Sequence, residues 1–357
     1  MRNNKHSFPV WRGSLNTLAQ NGTNNLAKPA QIITGQGSEL NNPKGRAKRK
    51  MISQVMSVTL LDIANKNENF DRIKSYWNTY HCQERLYSFE GRYYGKYCKN
   101  RFCTLCCSIR KAEIINRYLP TLKEWETPYF VTLTVKSITK KLLPVVMKKM
   151  RDGFKQINGK YRKRNLRGKG IKLLGIKSLE CNFNPIRKEY NPHFHLIVAN
   201  KEIADILVKE WLILWKDKEI NGRKIKWSTK GAQCIKKIKS LENSLIEIIK
   251  YGTKIFTEPD LENKSKIKDN TTIQAGALYT IFEAMRGLRI FERFGFDLPK
   301  IDKKTPNTRI VSEYHEWVFV PQFHDWLNTD NELVLTAYSP NKELKNLLVN
   351  GINNDLE

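Results

Sequence analysis

Two histidines separated by a single residue are the pattern in this chain with the clearest chemical potential. His193 and His195 flank Phe194 at the start of an apolar, β-branched run. In a β-strand, side chains two residues apart point from the same face, so the imidazoles project side by side and Phe194 turns toward a core. Two neutral imidazoles about 6–7 Å apart at their Cα atoms can share one divalent metal ion. Two partly exposed histidines at a strand end would look the same, so a metal site depends on what surrounds them.

A second group of metal-ligand residues lies upstream of the histidines. Cys98, Cys103 and Cys106 follow a C-x4-C-x2-C spacing, and Cys82 precedes them. The C-x2-C pair lets two thiolates reach one ion, and a distant pair completes a tetrahedron. Four soft ligands in a closed site suit Zn²⁺, which would hold together a small module that lacks its own core. The predicted ligands are Cys82, Cys98, Cys103 and Cys106, with Cys107 or His81 as replacements for one member.

A tyrosine on a predicted helix forms a third candidate group. Glu247, Tyr251 and Lys254 have helical spacing and can line one stripe of a helix over about 241–256. A tyrosine hydroxyl, with a pKa near 10, is a poor nucleophile unless a metal or a base assists it. A metal-bound phosphate nearby would be a stronger electrophile, and a lysine would offset developing negative charge. Taken alone, the pattern favours a surface helix with one Glu–Lys pair and a packed tyrosine.

The composition points to a polyanionic partner. The 357 residues include 63 Lys and Arg against 35 Asp and Glu, which gives a net charge of +28. Nucleic acid is the commonest partner of so basic a protein, and a membrane surface is the competing one. No apolar run reaches the roughly 18 residues that span a bilayer, and the first 50 residues contain no secretory signal pattern. We therefore expect a cytoplasmic protein with no membrane partner, whose cysteines are reduced thiols or metal ligands.

One basic segment is a candidate DNA-binding region. Residues 161–170 predict a flexible loop in which cations would track phosphates, although a solvated loop is an equally good interpretation. The cations are Arg162, Lys163, Arg164, Arg167 and Lys169.

The order of the predicted elements favours an α+β protein with an antiparallel central sheet and flanking helices. Strands are predicted near 128–135, 171–183, 193–199 and 232–238, and helices after Thr139 and near 201–217, 241–256 and 274–293. The predicted domains are a disordered basic arm over 1–55, a cysteine-rich zinc module over 56–115, a catalytic domain over 116–258 and a helical or mixed C-terminal extension over 259–357.

Taken together, these residues resemble the HUH endonucleases, and within them the rolling-circle replication initiators of small bacterial plasmids. The resemblance covers roughly residues 80 to 295. It consists of four blocks in the family's order, with Met285–Arg289 similar to a further downstream segment. The blocks are Cys98 to Cys106, Phe130-Val-Thr-Leu-Thr134, His193-Phe-His195, and Glu247 to Lys254.

The tyrosine motif places the chain in one branch of that family. Tyr251 follows the histidines, as in replication initiators, whereas conjugative relaxases carry their tyrosine near the N-terminus. Positions 248 and 255 are both isoleucine, so the motif departs from the two-tyrosine initiators and transposases. It fits the single-tyrosine plasmid branch, in which a glutamate one helical turn earlier takes the second role.

The resemblance implies a site and a reaction. Glu180, on the strand beside the histidines, matches the family's third metal ligand and would complete a site for Mg²⁺ or Mn²⁺ with His193 and His195. Tyr251 would nick single-stranded origin DNA, leaving a 5′-phosphotyrosine and a free 3′-hydroxyl primer, and Glu247 would act as general base in release. The DNA partner would be a plasmid origin, single-stranded or hairpin, with a host helicase and polymerase acting afterwards.

Two other functions remain open from the sequence. An HUH single-strand transposase would use the same chemistry between the ends of a mobile element. A non-catalytic, zinc-containing nucleic-acid-binding protein would use the histidines and the tyrosine as structural residues, and it would form no covalent DNA adduct.

Overall fold

The structure, a computed structural model, describes residues 31–33, 42–184, 186–220, 223–249, 275–299, 309–311 and 313–340. Within these ranges the helices are α1 (Pro43–Lys66), α2 (Phe70–Tyr80), α3 (Thr104–Lys123), α4 (Leu143–Leu166), α5 (Lys201–Leu214), α6 (Leu241–Ile249) and α7 (Ala275–Ala284). The strands are β1 (Gln31–Ile33), β2 (Arg85–Phe89), β3 (Arg92–Gly95), β4 (Tyr129–Thr134), β5 (Gly175–Asn184), β6 (Glu189–Val198), β7 (Lys218–Ile220), β8 (Arg223–Ile225), β9 (Cys234–Lys237), β10 (Phe291–Phe294), β11 (Arg309–Val311), β12 (His315–Val320) and β13 (Asp325–Asn328).

The central sheet has five strands in the order β10-β5-β6-β4-β9, and every neighbouring pair is antiparallel. Helices pack on both of its faces. The α+β class with an antiparallel sheet and flanking helices, predicted from the order of the elements, is confirmed. No helix among the described residues is long and apolar enough to span a bilayer.

One face of the central sheet carries the main hydrophobic core. Phe194 of β6 is fully buried between Phe154 of α4 and Trp211 of α5. Val131 and Leu179, from the strands on either side, join the same cluster. Strand alternation therefore sends every second side chain of β4, β5 and β6 into this core and the remaining side chains to the opposite face.

The opposite face is apolar at one end only. There, Ile176 and Ile197 pack with Leu122 of α3 and with Leu245 and Ile248 of α6. All five side chains are fully buried. This packing fixes α3 and α6 on the face from which the two histidines project.

A second antiparallel sheet, in the order β13-β12-β2-β3, packs on α1. Leu86, Phe319 and Trp326 contact Ala47 of this helix. The side chain of Lys50 is also buried here, and its Nζ donates to Tyr80 O at 2.6 Å and to Cys82 O at 2.8 Å. Burial lowers the pKa of Lys50 to about 8.

The N-terminal boundary differs from the prediction. Residues 43–55, assigned to a disordered arm, are the first half of α1. The sequence did not predict this helix because part of its buried face is cationic. Arg46 donates to Gln83 Oε1 at 3.2 Å, and Lys50 donates to two carbonyls at the end of α2 and just after it. Residues 1–30 of the predicted arm lie outside the described residues.

The predicted loop at 161–170 is also different in the structure. Residues through Leu166 belong to α4, so Arg162, Lys163 and Arg164 are helical. The helix continues because Tyr161 is buried and its hydroxyl donates to Glu210 Oε1 at 3.1 Å.

The predicted C-terminal extension is not a separate unit. Strand β10 forms an edge of the central sheet, and β12 and β13 belong to the sheet that contains β2 and β3. The helix predicted over 274–293 ends at Ala284, because Gly287 has a φ of +72° and the chain then enters β10. The sheets therefore extend past the predicted boundary at residue 258.

A buried ion pair links the edge strand β10 to its neighbour β5 and gives a test of this strand pairing. Lys177 Nζ lies 2.6 Å from Glu292 Oε2, with side-chain exposures of 4% and 28%. Glu292→Gln leaves a buried ammonium without its carboxylate and should lower the free energy of unfolding by about 3 kcal/mol. Urea denaturation measures this. The double change Lys177→Met with Glu292→Leu should recover most of the loss, and equal losses in the single and double variants would contradict the pair's role.

Candidate active site and metal centres

The histidine pair and Glu180 meet on one face of the central sheet. The antiparallel register sets Glu180 of β5 directly opposite His193 of β6 and sets Ser178 opposite His195. Glu180 Oε2 lies 3.7 Å from His193 Nε2, and Glu180 Oε1 lies 3.3 Å from His195 Nδ1. One ligand atom from each residue lies within 4.8 Å of the others, a geometry that can hold one metal ion.

The electrostatics of this triad suit a cation. Glu180 is 3% exposed and His193 is 5% exposed. Burial raises the pKa of Glu180, but the neighbouring imidazoles of His193 and His195 outweigh burial and lower that pKa to about 2. The carboxylate is therefore ionised at neutral pH. Glu180 Oε1 and His195 Nδ1 are buried 3.3 Å apart, and neither makes a hydrogen bond of good geometry to a described residue, as expected for atoms that share a metal ion.

Backbone and side-chain contacts orient His193. Its Nδ1 lies 3.0 Å from the backbone oxygen of Asn191, so a proton on Nδ1 leaves the Nε2 lone pair, on the side of Glu180, available to a metal ion. The side chain of Asn191 in turn donates to Val135 O at 3.2 Å. Asn191 was missed by the sequence reasoning, because its role depends on a contact between β6 and the residues that follow β4.

Strand β4 supplies two further neighbours of the triad. The register places Thr134 opposite His193 and Thr132 opposite His195. The amide of Gln233 accepts from Thr134 N at 2.9 Å, and Trp211 Nε1 donates to Thr134 O at 3.0 Å. These contacts fix the end of β4 beside the histidines. The block Phe130-Val-Thr-Leu-Thr134, one of the four on which the family resemblance depends, contains both threonines.

The four predicted cysteines also come together. Cys82, Cys98, Cys103 and Cys106 each place one sulfur within 4.8 Å of the others. Cys106 Sγ lies 3.6 Å from both Cys82 Sγ and Cys98 Sγ. This four-cysteine centre can hold one metal ion, and its all-thiolate donor set suits Zn²⁺.

Backbone amides support the four-cysteine centre. Cys98 N, Lys99 N and Asn100 N point at cysteine sulfurs over 3.3–3.4 Å, and Cys106 N points at Cys103 Sγ at 3.5 Å. Lys99 adopts a positive φ of 59° to present these amides. Such donors favour the thiolate form that a metal requires.

The two alternative ligands lie outside the four-cysteine centre. Cys107 Sγ donates to Arg101 O at 2.8 Å, and burial raises the pKa of Cys107 to about 12. His81 is exposed and contacts Glu84 Oε2 at 2.9 Å through Nδ1.

The remaining predicted residues are placed only in part. Tyr251 and Lys254 lie outside the described residues. Glu247 is half-buried on α6, the helix that packs on the histidine face. The basic residues of the DNA-binding prediction are exposed on and just after α4, which packs on the other face of the sheet from the histidines.

The adjacent cysteines 106 and 107 give a matched test of the four-cysteine centre. The wild-type chain should carry about one zinc ion. Cys106→Ser removes a predicted ligand and should lower bound zinc severalfold, while Cys107→Ser should leave it unchanged because its thiol donates to a carbonyl instead. Mass-spectrometric metal analysis of purified protein measures both variants. Equal zinc loss in both variants would contradict the ligand set.

Comparison with known proteins identifies the family of the chain. The model of a family described as "Replication protein" (Rep_1) matches residues 92–318. "Protein rep" of Staphylococcus aureus is 34% identical over 137 residues, which cover 35% of this chain and 57% of that protein. "Protein rep" of Bacillus amyloliquefaciens is 25% identical over 201 residues, which cover 50% of this chain and 56% of that protein.

The matched regions are partial. A further "Protein rep", from a Bacillus species, is 28% identical over 134 residues and is covered over 42% of its length. The chain thus spans about half the length of the curated relatives it matches. No solved structure matches it at a significant level. Since the family model covers well over half of the chain, including all five strands of the central sheet and three of the four cysteines, the chain belongs to the replication protein family.

Proposed function

We propose that this protein initiates rolling-circle replication of a plasmid by nicking single-stranded or hairpin DNA at the origin. The observation that carries the proposal is the triad of Glu180, His193 and His195, which meets on one sheet face in a member of a replication protein family. Helix α6 packs on the same face, and its last described residue, Ile249, is two positions before Tyr251 in the sequence.

The triad fits a hard divalent cation. One carboxylate and two imidazoles are ligands that Mg²⁺ and Mn²⁺ accept, and a three-residue set leaves coordination positions for phosphate oxygens and water. Such an ion, when bound, would polarise a phosphate oxygen of the DNA. The low pKa of Glu180 keeps its carboxylate ionised for this purpose at neutral pH.

Tyr251 is the proposed nucleophile. Its hydroxyl oxygen forms a bond to phosphorus and gives up its proton to water, while the bond from phosphorus to the 3′-oxygen breaks and the electron pair leaves with that oxygen, which takes a proton from water. The products are a 5′-phosphotyrosyl link and a 3′-hydroxyl. Lys254, one turn further along the predicted helix, would offset the negative charge that develops on the phosphate.

Glu247 is the proposed general base for release. It is half-buried on α6, one helical turn before Tyr251 in sequence. A carboxylate there can take a proton from water or from a 3′-hydroxyl as that group attacks phosphorus and displaces the tyrosine.

The proposed partners follow from the chemistry. The 3′-hydroxyl is a primer for a host polymerase, and a host helicase would separate the strands ahead of it. Arg162, Lys163, Arg164, Arg167 and Lys169 are exposed, and we propose that they contact DNA phosphates away from the cleavage position.

Membership in the replication protein family favours initiation over transposition by a related single-strand transposase. The non-catalytic alternative, a zinc-containing nucleic-acid-binding protein, predicts no covalent link between protein and DNA. A denaturing gel therefore separates it from the proposed enzyme.

Removing the tyrosine hydroxyl should abolish cleavage. Wild-type protein, Mn²⁺ and labelled single-stranded oligonucleotides tiling the DNA beside its gene should give a nicked product and a covalent adduct on a denaturing gel. Tyr251→Phe should lose both by at least about 10³-fold, since no nucleophile remains, and should bind DNA as before. Tyr161→Phe, a buried tyrosine on the other face, is the matched control. Persistent adduct in Tyr251→Phe would remove Tyr251 from its role.

Removing the proposed general base should separate nicking from release. Glu247→Ala should form the adduct with the same labelled oligonucleotides but resolve it about 10²-fold more slowly, because water or a 3′-hydroxyl is no longer activated. A time course of adduct decay after adding excess unlabelled strand measures this. Glu242→Ala, which removes an acidic side chain in the first turn of the same helix, is the control. Normal decay in Glu247→Ala would exclude the proposed role.

A further inference from the structure

The hairpin formed by β2 and β3 has one buried face and one open face. Leu86 is fully buried against Ala47 of α1. Its neighbours on the other face of β2, Tyr87 and Phe89, are only half-buried. The register sets Tyr94 of β3 directly opposite Tyr87, and strand alternation puts all three rings on the open face.

The three rings form a small cluster with Tyr314, which lies just before β12. Tyr314 is 9% exposed and meets Tyr87 edge-on, with ring centroids 5.5 Å apart. Tyr314 supports one side of the cluster, while the other three rings keep surface in contact with solvent. Rings displayed on an antiparallel sheet are a surface on which unpaired bases stack, since every base has a π-face.

Two arginines flank the rings: Arg92 brings the positive charge that favours DNA, and Arg85 offsets a nearby carboxylate. Arg92 lies directly opposite Phe89 and is exposed. The Arg85 side chain is 63% exposed, and its 2.7 Å contact with Glu316 neutralises the carboxylate that the register places beside Tyr87. The chain as a whole has a net charge of +28.

The four-cysteine centre closes the base of the same hairpin. Cys82 lies three residues before β2, and Cys98 lies three residues after β3. Joining both ends of the hairpin at one centre holds the two strands together. The rings are then presented in a fixed arrangement, which reduces the entropy lost on binding.

We propose that the open face of this hairpin, the aromatic platform formed by Tyr87, Phe89, Tyr94, Arg85 and Arg92, binds single-stranded DNA by base stacking. The inference depends on the proposed function for the identity of its ligand. It adds a DNA contact apart from the cleavage position, because the platform belongs to the sheet with β12 whereas the triad lies in the central sheet. A duplex keeps its bases stacked inside, so the exposed rings favour an unpaired strand.

Equilibrium binding tests the platform without any cleavage. Fluorescence anisotropy would follow a labelled oligothymidylate binding to the full chain with no Mg²⁺ or Mn²⁺ added. Tyr94→Leu should weaken binding by about 5- to 150-fold, the range for loss of one stacked base, and Tyr94→Phe should bind normally because the ring remains. Phe70→Leu removes a ring that is 76% exposed on α2 and should have no effect. Unchanged affinity in Tyr94→Leu would overturn the proposal.

The salt dependence separates stacking from phosphate contact. Arg92→Ala should lower the slope of log affinity against log salt by about 0.7 for one phosphate on a single strand, whereas Tyr94→Leu should leave the slope unchanged. An equal loss of duplex binding in Tyr94→Leu would overturn the assignment to unpaired DNA. If light scattering shows that the wild-type chain is a dimer and that Tyr94→Leu is a monomer, the platform binds a second copy of the chain and the proposal is overturned.

Photo-cross-linking keeps the test valid if a leucine variant fails to fold. Wild-type protein irradiated with an oligonucleotide containing 5-bromouracil should link through peptides that contain Tyr87 or Tyr94, and cross-links confined to other peptides would overturn the platform. Failure of the proposed function has a different signature. Wild-type protein would then form no covalent adduct with Mn²⁺ while still binding the oligonucleotide through the platform.

Discussion

The register between β5 and β6 is the constraint on which the candidate site depends. It sets Glu180 opposite His193, and the two-residue period of a strand then brings His195 to the same face. A slip of one residue would send Glu180 into the core beside Phe194 and separate it from both imidazoles. The apolar residues prevent this slip, because Leu179, Phe194 and Leu196 must all reach the hydrophobic cluster under α4 and α5. The packing of the core thus determines that Glu180, His193 and His195 meet on the opposite face of the sheet.

Local patterns in the sequence predicted which candidate ligands meet better than they predicted the domain boundaries. The spacing of Cys98, Cys103 and Cys106 and the His-Phe-His alternation are short-range signals, and the structure brings each group together. Strand β10 could not be assigned to the central sheet from sequence, since pairing with β5 is a contact between residues more than 100 positions apart. Helix α1 was hidden for a different reason: Lys50 is buried because two carbonyls accept its protons, which no hydrophobic pattern reveals.

The long-range pairings also make the two sheets interdependent. The cysteine segment lies between β2–β3 of one sheet and α3, whose C-terminal half packs on the other sheet. Arg101 in this segment donates to Leu288 O at 2.8 Å, just before β10. The four-cysteine centre therefore lies at the junction between the hairpin and the central sheet. Substituting one of the four cysteines should therefore disturb both the hairpin and the packing of α3 on the central sheet, since the intervening segment connects the hairpin directly to α3.

The different donor sets of the two centres determine which ions each can retain. Four thiolates supported by backbone amides form a closed, soft site that resists exchange with hard ions. One carboxylate and two imidazoles form a harder and incomplete shell, which would gain from oxygen ligands supplied by a phosphate and water. An ion at the triad should therefore bind more tightly when a phosphate is present, because the phosphate supplies the missing ligands. Substrate and ion then reinforce each other's binding, which follows from reciprocal linkage between two ligands of one site.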